Sequence, residues 1–323
     1  MKDELTVLIP TYNRKEKLTN TLLRLEKQFD NNFQVLILDN ASPFSIEEEV
    51  LTKLSSDFSN CIKVVKRKYN VGLGNNIAGL FLYCETKWGW LLGDDDVVAD
   101  DAVNTIADQT KQHPNCAGFW FALDERFHDE VVLNSLDKFI DLKIERGMFD
   151  DSGYLSNKVY NFEYFHEYSD IVFTHAYTMI SFTLGIFEIL KKGLEYRIIF
   201  NKRVVNHPGF EDGKPTWNYF RVASGMRTVV DYQVSKDWKV QKKYIYCSMF
   251  DWRALVANYL QSKTLPDNYR TYLKNIYYNC YKYSLPLKEK ILCYIKISIV
   301  STKLGFYVWP ILSKVKHFLK KQK

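Results

Sequence analysis

The chain has 323 residues, of which 46% are hydrophobic and 25% are charged, a balance typical of an ordinary folded protein. This composition excludes a mainly disordered chain, and the length fits one large domain or two smaller ones. The net charge of +6 is unevenly distributed, because residues 286–323 carry nine Lys and one acid and the rest is slightly acidic. A nucleic-acid-binding protein would carry basic residues across the fold, so no nucleic acid partner is expected.

Neither the cysteines nor the N-terminus indicates a secreted protein. The six cysteines include no CxxC pair and no His at zinc-ligand spacing, so they are predicted to be reduced and mostly buried thiols. The chain begins Met1-Lys2-Asp3-Glu4 and then enters an apolar strand, without the apolar region of a signal peptide. A cytoplasmic protein is therefore expected.

Apolar runs that predict buried strands alternate with helical periodicity through the first 121 residues. Helical faces are predicted around residues 18–29, 77–84 and 102–106, and a short helix is predicted after the N-cap Ser45. Strands are predicted at 5–9, where Pro10 would end the first one, and at 33–38, 62–65, 88–92 and 116–121. This alternation predicts an α/β fold with a mostly parallel sheet that is covered by helices on both faces.

Polar residues follow four of these segments. They are Thr11 to Arg14, Asp39-Asn40, Asn70 and Asp94 to Asp96. Ligands of parallel sheets bind beyond the carboxyl ends of the strands. The sequence therefore predicts a binding site at this edge of the sheet.

The run Asp94-Asp95-Asp96 is the sharpest feature. Adjacent carboxylates repel one another unless water or a cation separates them, and Mg²⁺ or Mn²⁺ could bridge them to a diphosphate. The alternative is a solvated acidic turn that caps the following helix. Likewise, Asp39 either accepts a hydrogen bond from a nucleobase imide N–H or simply forms a turn with Asn40 and Ser42.

Four motifs together resemble family 2 glycosyltransferases, which have the GT-A fold. The resemblance covers about residues 4 to 120, with the motifs in the family's order and spacing. It rests on the segments Leu8-Ile9-Pro10-Thr11-Tyr12-Asn13-Arg14, Ile37-Leu38-Asp39-Asn40-Ala41-Ser42, Asn70-Val71-Gly72 with Asn75, and Trp90-Leu91-Leu92-Gly93-Asp94-Asp95-Asp96.

The resemblance implies a set of site residues. A divalent cation, Mn²⁺ or Mg²⁺, would be held by the Asp94–Asp96 run, although alignment to the family leaves open by one residue which carboxylate is the ligand. Asp212 or Glu211 would act as the general base for an acceptor hydroxyl, with inversion at the anomeric carbon. The nucleotide-sugar donor, most readily a UDP-sugar, would contact Pro10, Thr11, Tyr12, Arg14, Asp39, Asn70, Gly72, Asp94 and Asp95.

The domain organisation is predicted in two parts. Residues 1–240 would form the GT-A domain, with a nucleotide-binding half at about 1–120 and an acceptor half at about 121–240. Residues 241–323 would form a helical, basic C-terminal region. Its apolar stretch 291–312 contains Lys296 and Lys303, which favours a helix in the interface of an anionic membrane; the alternative is a packing helix with a basic tail.

These features predict a non-processive, inverting glycosyltransferase of cell-surface polysaccharide or glycoconjugate synthesis. It would act on a saccharide acceptor, one linked to lipid in particular, at the inner face of the plasma membrane. Processive relatives carry a Gln-x-x-Arg-Trp motif and several membrane spans, and this sequence has neither. The alternatives are a nucleotidyltransferase and a non-catalytic, sugar-nucleotide-binding assembly partner at the membrane.

Overall fold

The computed structural model describes residues 4–146, 154–178, 181–206 and 235–248 and, further on, 256, 271, 274–275, 277–305, 307–308 and 311. The chain divides into two compact units. The first comprises Met1–Phe139 and Asp151–Pro215, and the second comprises Ile140–Asp150 and Thr216–Lys323. The domain boundary near residue 240 stays a prediction.

The first unit is built on a mixed sheet in which the described residues supply eight strands in the order β3-β2-β1-β4-β7-β5-β8-β6. The strands β3, β2, β1 and β4 are parallel, β5 is parallel to β8, and β7 is antiparallel to both of its neighbours. This confirms the mostly parallel α/β sheet. The strands are β1 Leu5–Thr11, β2 Gln34–Asp39, β3 Ile62–Lys66, β4 Trp88–Leu91, β5 Gly118–Phe121, β6 Glu130–Leu133, β7 Lys158–Asn161 and β8 Tyr196–Ile199.

The helices bury apolar stripes, as their periodicity predicts. Leu18, Leu22 and Leu25 of the first helix are fully buried, and Ser45 caps the second by accepting a hydrogen bond from the Glu48 N–H at 3.2 Å. The helices are α1 Lys15–Glu26, α2 Ile46–Glu49, α3 Ser56–Ser59, α4 Leu73–Tyr83, α5 Ala102–Gln112, α6 Leu136–Arg146, α7 Phe162–Phe165, α8 Ser169–Thr174 and α9 Phe182–Lys191.

The expectation that Pro10 ends the first strand is wrong, because β1 continues to Thr11. Residues of a strand alternate in the side to which their N–H and C=O groups point. The Leu8 carbonyl accepts from the Leu92 N–H on the β4 side, whereas the Thr11 carbonyl accepts from the Asn40 N–H on the β2 side. Pro10 therefore faces the β4 side, where pairing has already ended at Leu8, and its missing N–H costs no ladder hydrogen bond.

The strands β6 and β7 lie within residues 122–170, where the sequence shows no clean period, and β8 follows further along the chain. Each has only four residues, and β7 is buried on both faces. Val159 of β7 pairs with Trp90 on one side and Phe119 on the other. The antiparallel β7 therefore begins at the edge where β1, β2 and β4 end, and it delivers the residues before it to that edge.

The second unit contains the helices Trp238–Ser248 and Leu287–Val300. One face of Leu287–Val300 is buried through Cys293, Ile297 and Val300. Among the described residues, none of the helices has both the length and the hydropathy to span a membrane. Cys61, Cys84, Cys116 and Cys293 are free and buried, as predicted for reduced thiols.

Candidate functional site

The carboxyl ends of β1 and β4 bring together residues that are about 80 positions apart in the sequence. The Thr11 hydroxyl donates to Asp94 Oδ2 at 2.6 Å. Arg14, just before α1, donates through Nη1 to Asp94 Oδ1 at 3.0 Å and to Asp95 Oδ2 at 2.8 Å. A positively charged side chain thus bridges two of the three adjacent carboxylates and reduces their repulsion.

Asp94 is the most buried residue of the acidic run. It is only 4% exposed, and burial raises its pKa from 3.8 to about 6, although Arg14 and Thr11 act in the opposite direction. Two further residues of α1 contact the run: Thr21 donates to the Asp94 carbonyl at 3.0 Å, and Lys17 Nζ lies 3.5 Å from Asp95 Oδ2. The helix therefore supplies positive charge and hydrogen bonds to one side of the acidic run.

Asp96 has a different environment from its two neighbours. The Ser156 hydroxyl, in the segment before β7, donates to Asp96 Oδ2 and accepts the Gly93 N–H at 2.8 Å. The buried Tyr154 hydroxyl has no hydrogen-bond partner of standard geometry within the described part of the chain. It lies near enough to Asp96 for that carboxylate to add to the effect of burial in raising the tyrosine pKa. Asp96 thus faces hydroxyl groups from β7's side of the site.

A second cluster lies at the end of β2. Asp39 is fully buried, and its Oδ1 accepts from the Ser42 N–H at 3.0 Å and from the Ser42 hydroxyl at 2.5 Å. Its Oδ2 is also buried and has no hydrogen-bond partner among the described residues, while Lys66 Nζ lies 3.9 Å away. The turn with Ser42 exists, as the structural alternative predicted, but it occupies one carboxylate oxygen only. A buried acceptor without a partner costs free energy, which makes Oδ2 a candidate acceptor for a ligand N–H.

A third cluster connects β2 to the start of α4. Asn40 donates to Asn70 Oδ1 at 2.8 Å and accepts the Val71 N–H at 2.9 Å, and Asn70 Oδ1 also accepts the Gly72 N–H at 2.8 Å. Gly72 has a φ of +83°, a conformation that side chains beyond Gly rarely adopt. Asn70 and Gly72 therefore shape a loop beside Asp39, with Asn70 bonded to the protein itself.

The structure describes some of the other residues predicted for the site and not others. Pro10 lies within β1, and Tyr12 follows it with 46% of its surface exposed. Asp212 and Glu211 lie outside the described residues. His175 has its ring Nδ1 2.9 Å from the Ile171 carbonyl oxygen.

Sequence reasoning missed four residues that contact the acidic run or lie beside it. Lys17 and Thr21 are four positions apart and therefore lie on one face of α1, directly after Arg14, so helical spacing could have indicated them. Ser156 and Tyr154 carry no such signal, because they reach Asp96 only through the pairing of β7 with β4.

The fold resembles that of solved glycosyltransferases with the GT-A fold. The 1–349 form of TarS from S. aureus, with UDP-GlcNAc, aligns with a TM-score of 0.59 at 14% identity, over 86% of this chain and 81% of that 1–349 chain. The mannosyltransferase PcManGT of Pyrobaculum calidifontis, with GDP-Man and Mn²⁺, aligns with a TM-score of 0.50 at 13% identity, over 96% of this chain and 83% of that protein. These likenesses support the GT-A fold.

The sequence profile described as Glycosyl transferase family 2 matches residues 6–186, which is more than half of the chain. The chain therefore belongs to glycosyl transferase family 2. It is 33% identical to the uncharacterized glycosyltransferase YfnE of Bacillus subtilis over 141 residues, or 39% of this chain and 33% of YfnE. It is 30% identical to the abequosyltransferase RfbV of Salmonella typhimurium over 97 residues, or 29% of each chain. The matched regions span about a third of the length of these curated relatives.

Proposed function

We propose that this protein transfers a single sugar from a nucleotide-sugar donor to a saccharide acceptor, with inversion at the anomeric carbon. The observation that carries the proposal is the joining of the Asp94–Asp96 run to Thr11 and Arg14 at the carboxyl edge of the sheet. This is the edge at which parallel α/β sheets bind ligands. The reaction belongs to the chemistry of glycoconjugate synthesis.

The donor is proposed to bind across Thr11, Tyr12, Arg14 and Asp39. The buried Asp39 Oδ2 supports this, since an imide N–H of a nucleobase would give it the hydrogen bond that it lacks among the described residues. TarS has been solved with UDP-GlcNAc and with UDP, and PcManGT with GDP-Man. A UDP-sugar is our first choice of donor, because a uracil ring has an imide N–H, and a GDP-sugar is the second.

The acidic run fits a divalent cation that takes part of its coordination shell from the substrate. Among the described residues, no three His, Cys, Asp or Glu side chains form a closed metal cage. Mg²⁺ is commonly held by one or two carboxylates, with substrate phosphates and water completing the shell. Asp96 is the proposed ligand because a neutral hydroxyl, from Ser156, bonds to it, whereas Asp94 and Asp95 both accept from Arg14. A divalent cation there would neutralise charge on the departing diphosphate.

Different residues are proposed to have different roles in the transfer reaction. Thr11 and Arg14 hold the acidic run in place, and Arg14 and Lys17 bring positive charge to the region where the diphosphate would lie. Asp212, or Glu211 in its place, is proposed to take the proton of the acceptor hydroxyl. The hydroxyl oxygen then bonds to the anomeric carbon from the opposite face while the bond from that carbon to the diphosphate breaks, and the nucleoside diphosphate leaves.

An anionic membrane surface is the proposed location of the acceptor, which we take to be linked to lipid. On Leu287–Val300, Leu287, Ile291, Ile295 and Ile299 recur every four residues and are all exposed, on the opposite side from the buried Cys293 and Ile297. Exposed apolar side chains and nearby lysines are typical of helices that lie in a membrane interface.

Substituting Ile291 and Ile295 with Ser should release the protein from anionic vesicles and leave donor binding unchanged. Equal vesicle binding by this variant in co-sedimentation would contradict the membrane proposal.

The proposed function is tested with a panel of sugar nucleotides, scored for binding and for hydrolysis or transfer, in Mn²⁺ and in excess chelator. A metal-dependent glycosyltransferase should release a nucleoside diphosphate from one sugar nucleotide in Mn²⁺ only. Release of pyrophosphate from a nucleoside triphosphate would instead indicate a nucleotidyltransferase. Binding without turnover, with every acceptor supplied, would indicate a non-catalytic assembly partner.

A further inference from the structure

Ser156 ties the segment before β7 to the end of β4 through three hydrogen bonds. Its hydroxyl donates to Asp96 Oδ2 and accepts the Gly93 N–H at 2.8 Å. Its carbonyl accepts from the Trp90 indole Nε1 at 2.8 Å. Ser156 is itself fully buried, and Trp90 is fully buried in the core of the sheet. Both the position of the Ser156 backbone and the direction of its hydroxyl are therefore fixed by the surrounding structure.

Gly93 provides independent support for a fixed Asp96 carboxylate. A Cβ atom built on Gly93 would overlap Asp96 Oδ2 and would approach Ser156 Oγ to 3.4 Å. The backbone at Gly93 does not adopt the positive φ that favours Gly. Because Gly93 has no side chain, the Asp96 carboxylate has room to fold back onto Gly93 and Ser156. The backbone conformation at Gly93 does not itself require Gly, so this steric role is the explanation for Gly at this position.

We infer that Ser156 is a positioning residue that orients the Asp96 carboxylate toward a divalent cation at the edge of the sheet. This inference rests on the proposed function, which assigns the cation to the acidic run. A carboxylate that is already anchored through one oxygen loses less rotational freedom when it binds a cation. Hydrogen-bond partners that orient a metal ligand change metal affinity or activity by about 10-fold to 100-fold when they are removed.

The test measures Mn²⁺ binding to the full chain by electron paramagnetic resonance, with Mn²⁺ alone and with UDP or GDP added. Ser156→Ala should weaken Mn²⁺ binding by about 10-fold or more. Thr86→Ala is the matched control, because Thr86 is a buried hydroxyl at the other end of β4, paired with Thr6 Oγ1 at 2.7 Å and donating to the Trp88 carbonyl at 2.9 Å. The control should lose stability but bind Mn²⁺ like the wild type.

Two further variants separate positioning from a general loss of packing. Gly93→Ala keeps Ser156 but displaces the Asp96 carboxylate, so it should reproduce the loss of Mn²⁺ affinity. Ser156→Thr keeps the hydroxyl and should retain part of the Mn²⁺ affinity that Ser156→Ala loses.

Wild-type Mn²⁺ affinity in both Ser156→Ala and Gly93→Ala, or an equal loss in Thr86→Ala, would overturn the inference and leave the proposed function intact. A wild type that binds no Mn²⁺ in any condition would overturn both the cation assignment and this inference, whereas Mn²⁺ binding without sugar transfer would overturn the proposed function only.

Discussion

Asp94 should make the protein less stable at neutral pH than it would be with an uncharged residue of the same shape. Its pKa is raised by burial from 3.8 to about 6 in the folded state, so the folded protein holds the Asp94 proton more tightly than the unfolded chain does. The stabilisation from the protonated form is complete below pH 3.8 and is lost as the pH rises through 6. Asp94→Asn removes this titration while keeping the size of the side chain.

The size of the effect follows from the pKa difference. About two pKa units correspond to about 3 kcal/mol in the free energy of unfolding, of which about half falls between pH 5 and pH 8. We therefore expect Asp94→Asn to gain stability relative to the wild type as the pH rises across this range. Urea denaturation at several pH values, in chelator, measures both proteins and checks that their m-values agree.

Asp108→Asn is the matched control for removing a negative charge, because Asp108 is an exposed residue on α5. The Asp108→Asn variant measures the effect of removing an exposed negative charge at each pH, and this effect is subtracted from that of Asp94→Asn. If the difference in unfolding free energy between Asp94→Asn and the wild type stays constant over this range, the reasoning about the buried carboxylate is refuted. Asp94→Asn should also lose turnover. This result would show that the charge on Asp94, which function requires, lowers the stability of the folded protein.

The remaining predictions concern donor binding, the metal and the catalytic base. Asp39→Asn should weaken UDP binding by about 1–3 kcal/mol in calorimetry, since it alters the buried acceptor oxygen; unchanged binding would place the nucleobase elsewhere. Asp96→Ala should abolish Mn²⁺-dependent turnover in a protein that still folds but is less stable, because the buried Ser156 hydroxyl loses its acceptor; full activity of the wild type in excess chelator would contradict the metal role. Asp212→Asn should lower kcat by about 10²–10⁴ at unchanged donor affinity. An inactive Glu211→Gln beside an active Asp212→Asn would exchange the two roles, and activity in both would make Asp170 the candidate.

The parallel half of the sheet could be predicted because its signals are local. The strands β1, β2 and β4 are mostly apolar, and polar residues end or follow each of them at the edge to which the parallel arrangement brings the strand ends. The Thr11–Asp94 contact follows from this rule, although the two residues are 83 positions apart. The sequence does not predict that Arg14 bridges Asp94 and Asp95. The direction of the Arg14 side chain depends on the turn at Asn13, which has a φ of 53°.

The role of Gly93 shows why the rest of the site needed the structure. Comparison of the motif with the family leaves open by one residue which carboxylate of the acidic run is the metal ligand. The contact of Ser156 with both Gly93 and Asp96 accounts for the Gly in steric terms, because a side chain at position 93 would occupy the place of the Asp96 carboxylate. That contact depends on the antiparallel pairing of β7 with β4 and joins residues 60 or more positions apart, and a four-residue strand has too few residues to reveal its register from periodicity. The Gly at position 93 is thus explained by a contact between Asp96 and Ser156, which is distant from it in the sequence. The Gly93→Ala variant tests this explanation directly.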